Sequence, residues 1–228
     1  MGVSVFLPVR RGSERVIRKN TRKFAGFEGG LLELKLLQLK KLEGIEEIIV
    51  STNDENCQNI GLSYQKEIQN LKVIKRPEKL GNSATNLKDL IQYAGEVSKS
   101  EDILWTHVTS PFCDLPIYQK AVKLFNENRK LGYDSLISGR DYKEFLFDKC
   151  TGEIVNNPTN LDWPRTQDLS DWFEINNGIF LTTRANFKRG KRVGAKPYLM
   201  EMGKINSLDV DYEEDFFLAE LIYERFYR

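Results

Sequence analysis

Short apolar runs alternate with helix-period segments through the first 140 residues. The runs Val3–Val9, Glu47–Ser51, Lys72–Lys75, Ile103–Val108 and Ser135–Ser138 are bounded by turn-forming residues, and Gly178–Thr182 repeats the pattern later. Runs of this length and setting predict buried strands. Between the first two, Leu31–Leu42 places Leu32, Leu36 and Leu39, with Leu34 and Leu37 beside them, on one helical face. Asn56–Gln69, Thr85–Val97 and Pro116–Arg129 predict further helices, the last opening on a proline suited to a first turn. Strands alternating with helices predict an α/β fold: a three-layer, Rossmann-like arrangement with a mostly parallel sheet and helices on both faces.

The pattern changes after Arg140. Glu144–Phe147 and Asp148–Val155 predict a small β-hairpin turning near Thr151-Gly152, and Asn156–Asp171 is polar and irregular. Residues 141–173 therefore form an insertion, of the kind that serves as a lid or subunit contact, within a single domain spanning 1–228. Glu213–Arg228 is amphipathic and predicts a closing helix.

Composition narrows the function classes. With 40% hydrophobic residues a sizeable core can form, while 34 basic against 33 acidic side chains argue against binding nucleic acid by bulk charge. No stretch approaches the roughly 20 apolar residues of a membrane span, and the N-terminus has no signal-peptide pattern. The three cysteines, Cys57, Cys113 and Cys150, are far apart, which disfavours a disulfide scaffold or zinc cluster and fits a reducing cytoplasm. A single histidine excludes a His-rich metal site.

Three segments carry candidate chemistry. After the first apolar run come Arg10, Arg11, Gly12, Ser13, Arg15, Arg18 and Lys19, a basic Gly-Ser loop where an α/β protein tends to hold phosphate. The chain has neither G-x-G-x-x-G after that strand nor a P-loop motif, so dinucleotide and P-loop readings lose ground; a solvated basic loop is the alternative. Near the C-terminus, Asp209 and Asp211 point to one side of an extended segment and suit a hard cation such as Mg²⁺. The alternative there is that Asp211 caps the final helix, which leaves Asp209 unexplained. The third segment, His107-Val108-Thr109-Ser110-Pro111, closes a candidate strand and faces the ligand crevice of an open sheet, although a lone His near a strand end is more often structural. After Lys72–Lys75, Arg76 can reach phosphate, and Ser83 reads first as a helix cap.

In this order the segments resemble the acylneuraminate cytidylyltransferase family. The carriers are Leu7-Pro8-Val9-Arg10-Arg11-Gly12-Ser13 with Lys19-Asn20, Ser51-Thr52-Asn53-Asp54-Glu55, Arg76-Pro77, Thr109-Ser110-Pro111, Pro164-Arg165, Asn177-Gly178 and Ser207-Leu208-Asp209-Val210-Asp211-Tyr212-Glu213-Glu214-Asp215. The resemblance implies a fold of the nucleotide-diphospho-sugar transferase type. It also implies transfer of CMP from CTP to the anomeric hydroxyl of an acidic 2-keto sugar, releasing pyrophosphate. Carried over, Arg10 and Lys19 hold the triphosphate, with Arg11, Gly12, Ser13 and Asn20 near the nucleotide and Arg76 and Ser83 near cytosine and ribose. His107, Thr109, Ser110 and Asn177 face the sugar, Arg165 its carboxylate, and Asp209 and Asp211 the Mg²⁺. Asp211 is a candidate base, and the 141–173 insertion resembles the family's homodimer element.

Three departures mark the acceptor side. Glu14 stands at the family's usual lysine, His107 at its glutamine, and Glu174 in a segment where arginine and proline are common. Three rivals therefore stay open. One is a nucleotidyltransferase of the same fold acting on a phosphorylated acceptor. Another is an Asp-x-Asp glycosyltransferase, disfavoured by the C-terminal place of its motif. The last is a non-catalytic nucleotide-binding homologue.

Overall fold

The Val3–Val9 run forms the first strand (β1), and its near-continuous burial is that of a parallel strand covered on both faces. The computed structural model describes residues 2–12, 15–82 and 84–227, so Ser13 and Ser83 lie outside the described residues. After β1 the chain continues through α1 (Gly30–Leu39), β2 (Ile45–Thr52), α2 (Glu55–Tyr64), β3 (Leu71–Lys75), α3 (Leu87–Val97), β4 (Asp102–Trp105) and α4 (Leu115–Arg129). It closes with β5 (Ser135–Tyr142), β6 (Trp172–Thr183), the short α5 (Arg184–Lys188), β7 (Pro197–Glu201) and α6 (Glu213–Phe226).

The seven strands make one sheet in the order β3-β2-β1-β4-β6-β5-β7. All pairings are parallel except those of β6 with β4 and β5. One core, built with α1 and α4, contains Leu7, Leu32, Leu36, Phe125 and Phe216. The other, under α3 and α5, contains Phe6, Ile91, Trp105 and Phe187. The α/β, three-layer expectation is met.

Capping chemistry explains several boundaries. Asp54 accepts from the backbone N–H groups of Asn56 and Cys57, and Asp114 accepts from that of Ile117. Asn86, not Ser83, caps α3, accepting from Lys88 N. At α6, Asp215 accepts from the backbone N–H groups of Asp211 and Tyr212 at 3.0 and 2.7 Å. Asp211 is thus free of the capping role, and its side chain is left for the cleft.

Several expectations change, among them the length of β5, which runs on to Tyr142 rather than ending at Ser138. β4 stops at Trp105 rather than Val108, because Thr106 turns away to donate to Gly178 O at 2.7 Å. β6 begins at Trp172, since residues 172–175 keep pairing with 139–142 of β5. β7 was not expected; it is a five-residue strand at the sheet's edge, opening on a proline, where a missing N–H does no harm. The hairpin in the insertion reduces to a single antiparallel bridge, Phe147 with Ile154, around a turn in which Asp148 accepts from Cys150 N and Thr151 N and Gly152 takes φ +75°.

Candidate active site

Topology brings distant polar residues to one edge. β1, β2, β3 and β4 run parallel, so the residues following their carboxyl ends, Arg10, Asn53, Arg76 and His107, share that edge. The antiparallel β6 pairs Phe180 with Trp105, which carries Asn177 to the same side, and the parallel β5 and β7 end there with Arg140 and Glu201. The chain leaves β1 toward β2 and returns to β1's other side as β4, making a switch point at which open α/β sheets bind ligands.

A cleft of about 530 Å³ opens at this point. Arg10, Arg15, Lys19, Arg76 and Arg192 line it, against two carboxylates, Asp209 and Asp211. That excess of positive charge suits a polyphosphate. The basic loop and the acidic segment, read separately in the sequence, are in contact here. Lys19 Nζ donates to Val210 O at 2.6 Å and lies 3.6 Å from Asp211, while Arg15 pairs with Asp211 at 2.9 Å. Arg22 grips Glu213 through two bonds of 3.0 and 2.8 Å and stacks over Phe216, tying the loop to the start of α6. Arg15 and Asp211 are half exposed, so their pairing is weak and readily exchanged for a phosphate.

Arg10 lines the cleft, and its carbonyl accepts from Asn20, which lines it too. Gly12 takes φ +77° with no atom near the position of a Cβ, a bare backbone turn that can approach an anion. Arg11 is held through its backbone N–H, which donates to Asn53 at 3.0 Å; its side chain does not reach the cleft. Arg76 is buried at the cleft wall, donating to Ser51 Oγ and Ser51 O, and burial draws its pKa down to about 10.

His107 lines the cleft as a neutral ring. Its Nε2 accepts from the Trp105 indole at 2.8 Å, so Nδ1 carries the proton. Burial, followed by the fields of Arg192, Lys19, Lys35 and Arg76, pushes its pKa down to about 3. Thr109 lines the cleft, and its carbonyl accepts from Val210 N at 2.8 Å. Ser110 does not; it is buried, and its carbonyl accepts from Lys35. Asn177 sits in the left-handed region at φ +56°, which Asn tolerates, and donates to Asp209 at 3.4 Å.

Asp209 Oδ1 is buried and has no hydrogen-bond partner among the described residues, and burial holds this carboxyl above its ordinary pKa. An orphaned carboxylate oxygen beside a second carboxylate fits a hard cation. The described residues contain no group of three or more ligating side chains, so substrate oxygens must complete any such shell.

A second cavity of about 400 Å³ shares Asn177, Asp209 and Asp211 with the first. Its other wall holds Arg140, Glu174, Lys204 and Ser207. Glu174, one of the three departures from the family pattern, faces this cavity, and its charge is met by Arg140. Arg165 reaches neither cavity: it is exposed on the insertion and forms two bonds to Asp168, at 2.8 and 2.9 Å. Arg140, Lys204 and Arg192 escaped the sequence reading. A correct end for β5 would have exposed Arg140 as an edge residue, whereas Arg192 stands in a basic run indistinguishable from a solvated turn.

Residues 4–216 match a family model described as Cytidylyltransferase. The chain is 26% identical over 223 residues to an N-acylneuraminate cytidylyltransferase A of Danio rerio; the match takes in 96% of this chain and spans 50% of that relative's length. A flagellin modification protein B of Campylobacter coli is 23% identical over 221 residues, covering 93% of this chain and 91% of the relative. Among solved structures, a CMP:2-keto-3-deoxy-manno-octonic acid synthetase complexed with CTP superposes with a TM-score of 0.69, covering 99% of both chains at 9% identity.

Proposed function

The chain belongs to the cytidylyltransferase family, and on that premise we propose that it moves CMP from CTP to the anomeric hydroxyl of an acidic 2-keto sugar (sialic, legionaminic, pseudaminic or Kdo-like) for cell-surface glycan synthesis, releasing pyrophosphate. The carrying observation is that the basic loop and the two aspartates meet where two cavities join. In this reading the larger cavity takes CTP. Arg10 and Lys19 hold its triphosphate, with Arg15 joining as it leaves Asp211. Arg76 lies toward the base. Asp209 and Asp211 fit Mg²⁺, which would neutralise charge on the α-phosphate.

The second cavity takes the acceptor. Lys204, with no ion pair among the described residues, and Arg140 supply positive charge for its carboxylate. The acceptor oxygen attacks the α-phosphorus in line, an O–P bond forms, and the bond to the bridging β-oxygen breaks. Asp211, shared by both cavities, takes the hydroxyl proton. Positioning and charge neutralisation carry the acceleration. The insertion, with Phe145, Phe147, Leu161 and Trp163 exposed, forms a homodimer contact that offers Arg165 to the acceptor cavity of a second copy.

Arg140 and Lys204 suit a phosphate as well as a carboxylate, so a phosphorylated acceptor is the second reading. Pyrophosphate release with Mg²⁺, testing CTP, UTP, GTP and ATP against nonulosonic acids, Kdo and phosphorylated acceptors, separates the two. Release with CTP and a keto-acid sugar is expected. Release only with a phosphorylated acceptor selects the second reading, and silence across the panel removes both.

A further inference from the structure

Lys35 lies among the leucines of α1 with no exposed surface. Other buried charges have an evident purpose: Glu47 pairs with Lys72, Asp102 pairs with Arg129, and Arg76 lines the cleft. Lys35 pairs with no carboxylate among the described residues. Its three donors are instead spent on Ser110 O at 2.9 Å, Cys113 O at 2.8 Å and the Tyr118 hydroxyl at 2.9 Å. Burial lowers the ammonium's pKa to about 8, while it pushes the Cys113 thiol up to about 11 and raises Tyr118 well above its ordinary value, so the neighbours stay neutral. An unpaired ammonium is an expensive occupant of a core, and leucine would pack there without that cost.

We propose that Lys35 is a positioning residue, which locks the turn after β4 and through it holds Asp209 and Asn177 in register at the reacting centre. Two routes of hydrogen bonds run from it. Along the first, Ser110 O is fixed by Nζ, and the adjoining Thr109 O accepts from Val210 N, the residue between the two aspartates. The second is a directed chain in which every hydroxyl accepts one proton and passes on another. Lys35 donates to Tyr118, Tyr118 to Thr106 at 2.7 Å, and Thr106 to Gly178 O at 2.7 Å. Asn177 precedes that glycine and donates to Asp209. The first route fixes the backbone next to Asp209, and the second ends on its carboxylate, whose Oδ1 is buried and unpartnered among the described residues. Chains of this kind polarise one another, and outer partners of a metal ligand govern its affinity.

The inference rests on the proposed cation site, so its test reads metal binding without turnover. Mn²⁺ is titrated into the protein–CTP complex with no acceptor present, and free Mn²⁺ is followed by electron paramagnetic resonance. Lys35→Met, checked for folding by thermal unfolding, is expected to weaken Mn²⁺ binding and lower kcat by about tenfold or more, with KM for CTP changed by less than about threefold. Tyr118→Phe keeps the ring but removes the hydroxyl that accepts from Lys35 and reaches Thr106, leaving the Ser110 and Cys113 bonds of Lys35 in place, so a smaller loss in the same direction is expected; it decides the matter if Lys35→Met does not fold. Unchanged Mn²⁺ affinity and kcat in either folded variant would overturn the proposal. A wild-type protein that binds neither CTP nor Mn²⁺ would instead remove the function proposed above.

Discussion

His107 is the sole histidine of the chain, so one imidazole signal reports its charge without overlap. Its pKa near 3 means that the folded protein keeps the ring neutral where an ordinary histidine, near 6.5, is protonated. Between those values the unfolded chain binds a proton that the native state refuses, so this residue's contribution to stability falls as pH drops from 6.5 toward 3. The Cε1–H resonance should stay flat from pH 8 to about 5, and His107→Gln should make the protein less acid-sensitive. A titration centred near 6.5 would show a solvated ring and dissolve the Trp105 bond on which its tautomer depends. The sequence marked His107 by its place after a strand, yet its protonation was not legible, because burial and four cationic neighbours from other segments set it. Lys35 was invisible for the same reason: among leucines at helical spacing, a lysine reads as the edge of a solvated face.

The longer helices and inner strands were legible because each carries its own period, and several of the helices a cap as well. Glu55–Tyr64 and Leu115–Arg129 begin at aspartates that accept from their first-turn amides, a local signal independent of the rest of the fold. The insertion was legible in its turn but not in its extent. Its turn at Asp148–Glu153 forms, but the flanking segments lack a sheet to pair with and stay unzipped beyond one bridge. What they do carry is apolar surface, with Phe147 59%, Leu161 60% and Trp163 74% exposed. Exposed large side chains gathered on one excursion suit the homodimer contact proposed above. Light scattering coupled to size exclusion should give about twice the 26.4 kDa chain mass at micromolar concentration. Trp163→Glu should shift it to the monomer and lower turnover, because Arg165 would no longer be presented to a second acceptor cavity. A wild-type monomer would assign those side chains to another purpose.

Across the sheet the site is assembled by topology. The basic loop follows β1 and the aspartates precede α6, about 190 residues later; they meet because four parallel strands end at one edge and the antiparallel β6 begins there. Motif order in the sequence indicated the parts but not their contact, since nothing local states that Lys19 touches Val210. The second cavity was less legible still. It is built from the end of β5, the first half of β6 and the segment 204–211 after β7, two of these strands misjudged in length and the third unrecognised, and its opposed charges, Arg140 with Glu174 beside Lys204, arise only in register.

The central claim is that this shared edge joins CMP to an acidic sugar through a new phosphodiester. The most direct measurement is ³¹P NMR of CTP incubated with Mg²⁺, the acceptor selected by the pyrophosphate screen, and either wild-type protein or the Asp209→Asn variant. The wild type should replace the three CTP resonances with pyrophosphate and one phosphodiester signal, while Asp209→Asn leaves CTP intact. Formation of CDP with inorganic phosphate, of free CMP without a phosphodiester, or of wild-type product by Asp209→Asn would contradict the account.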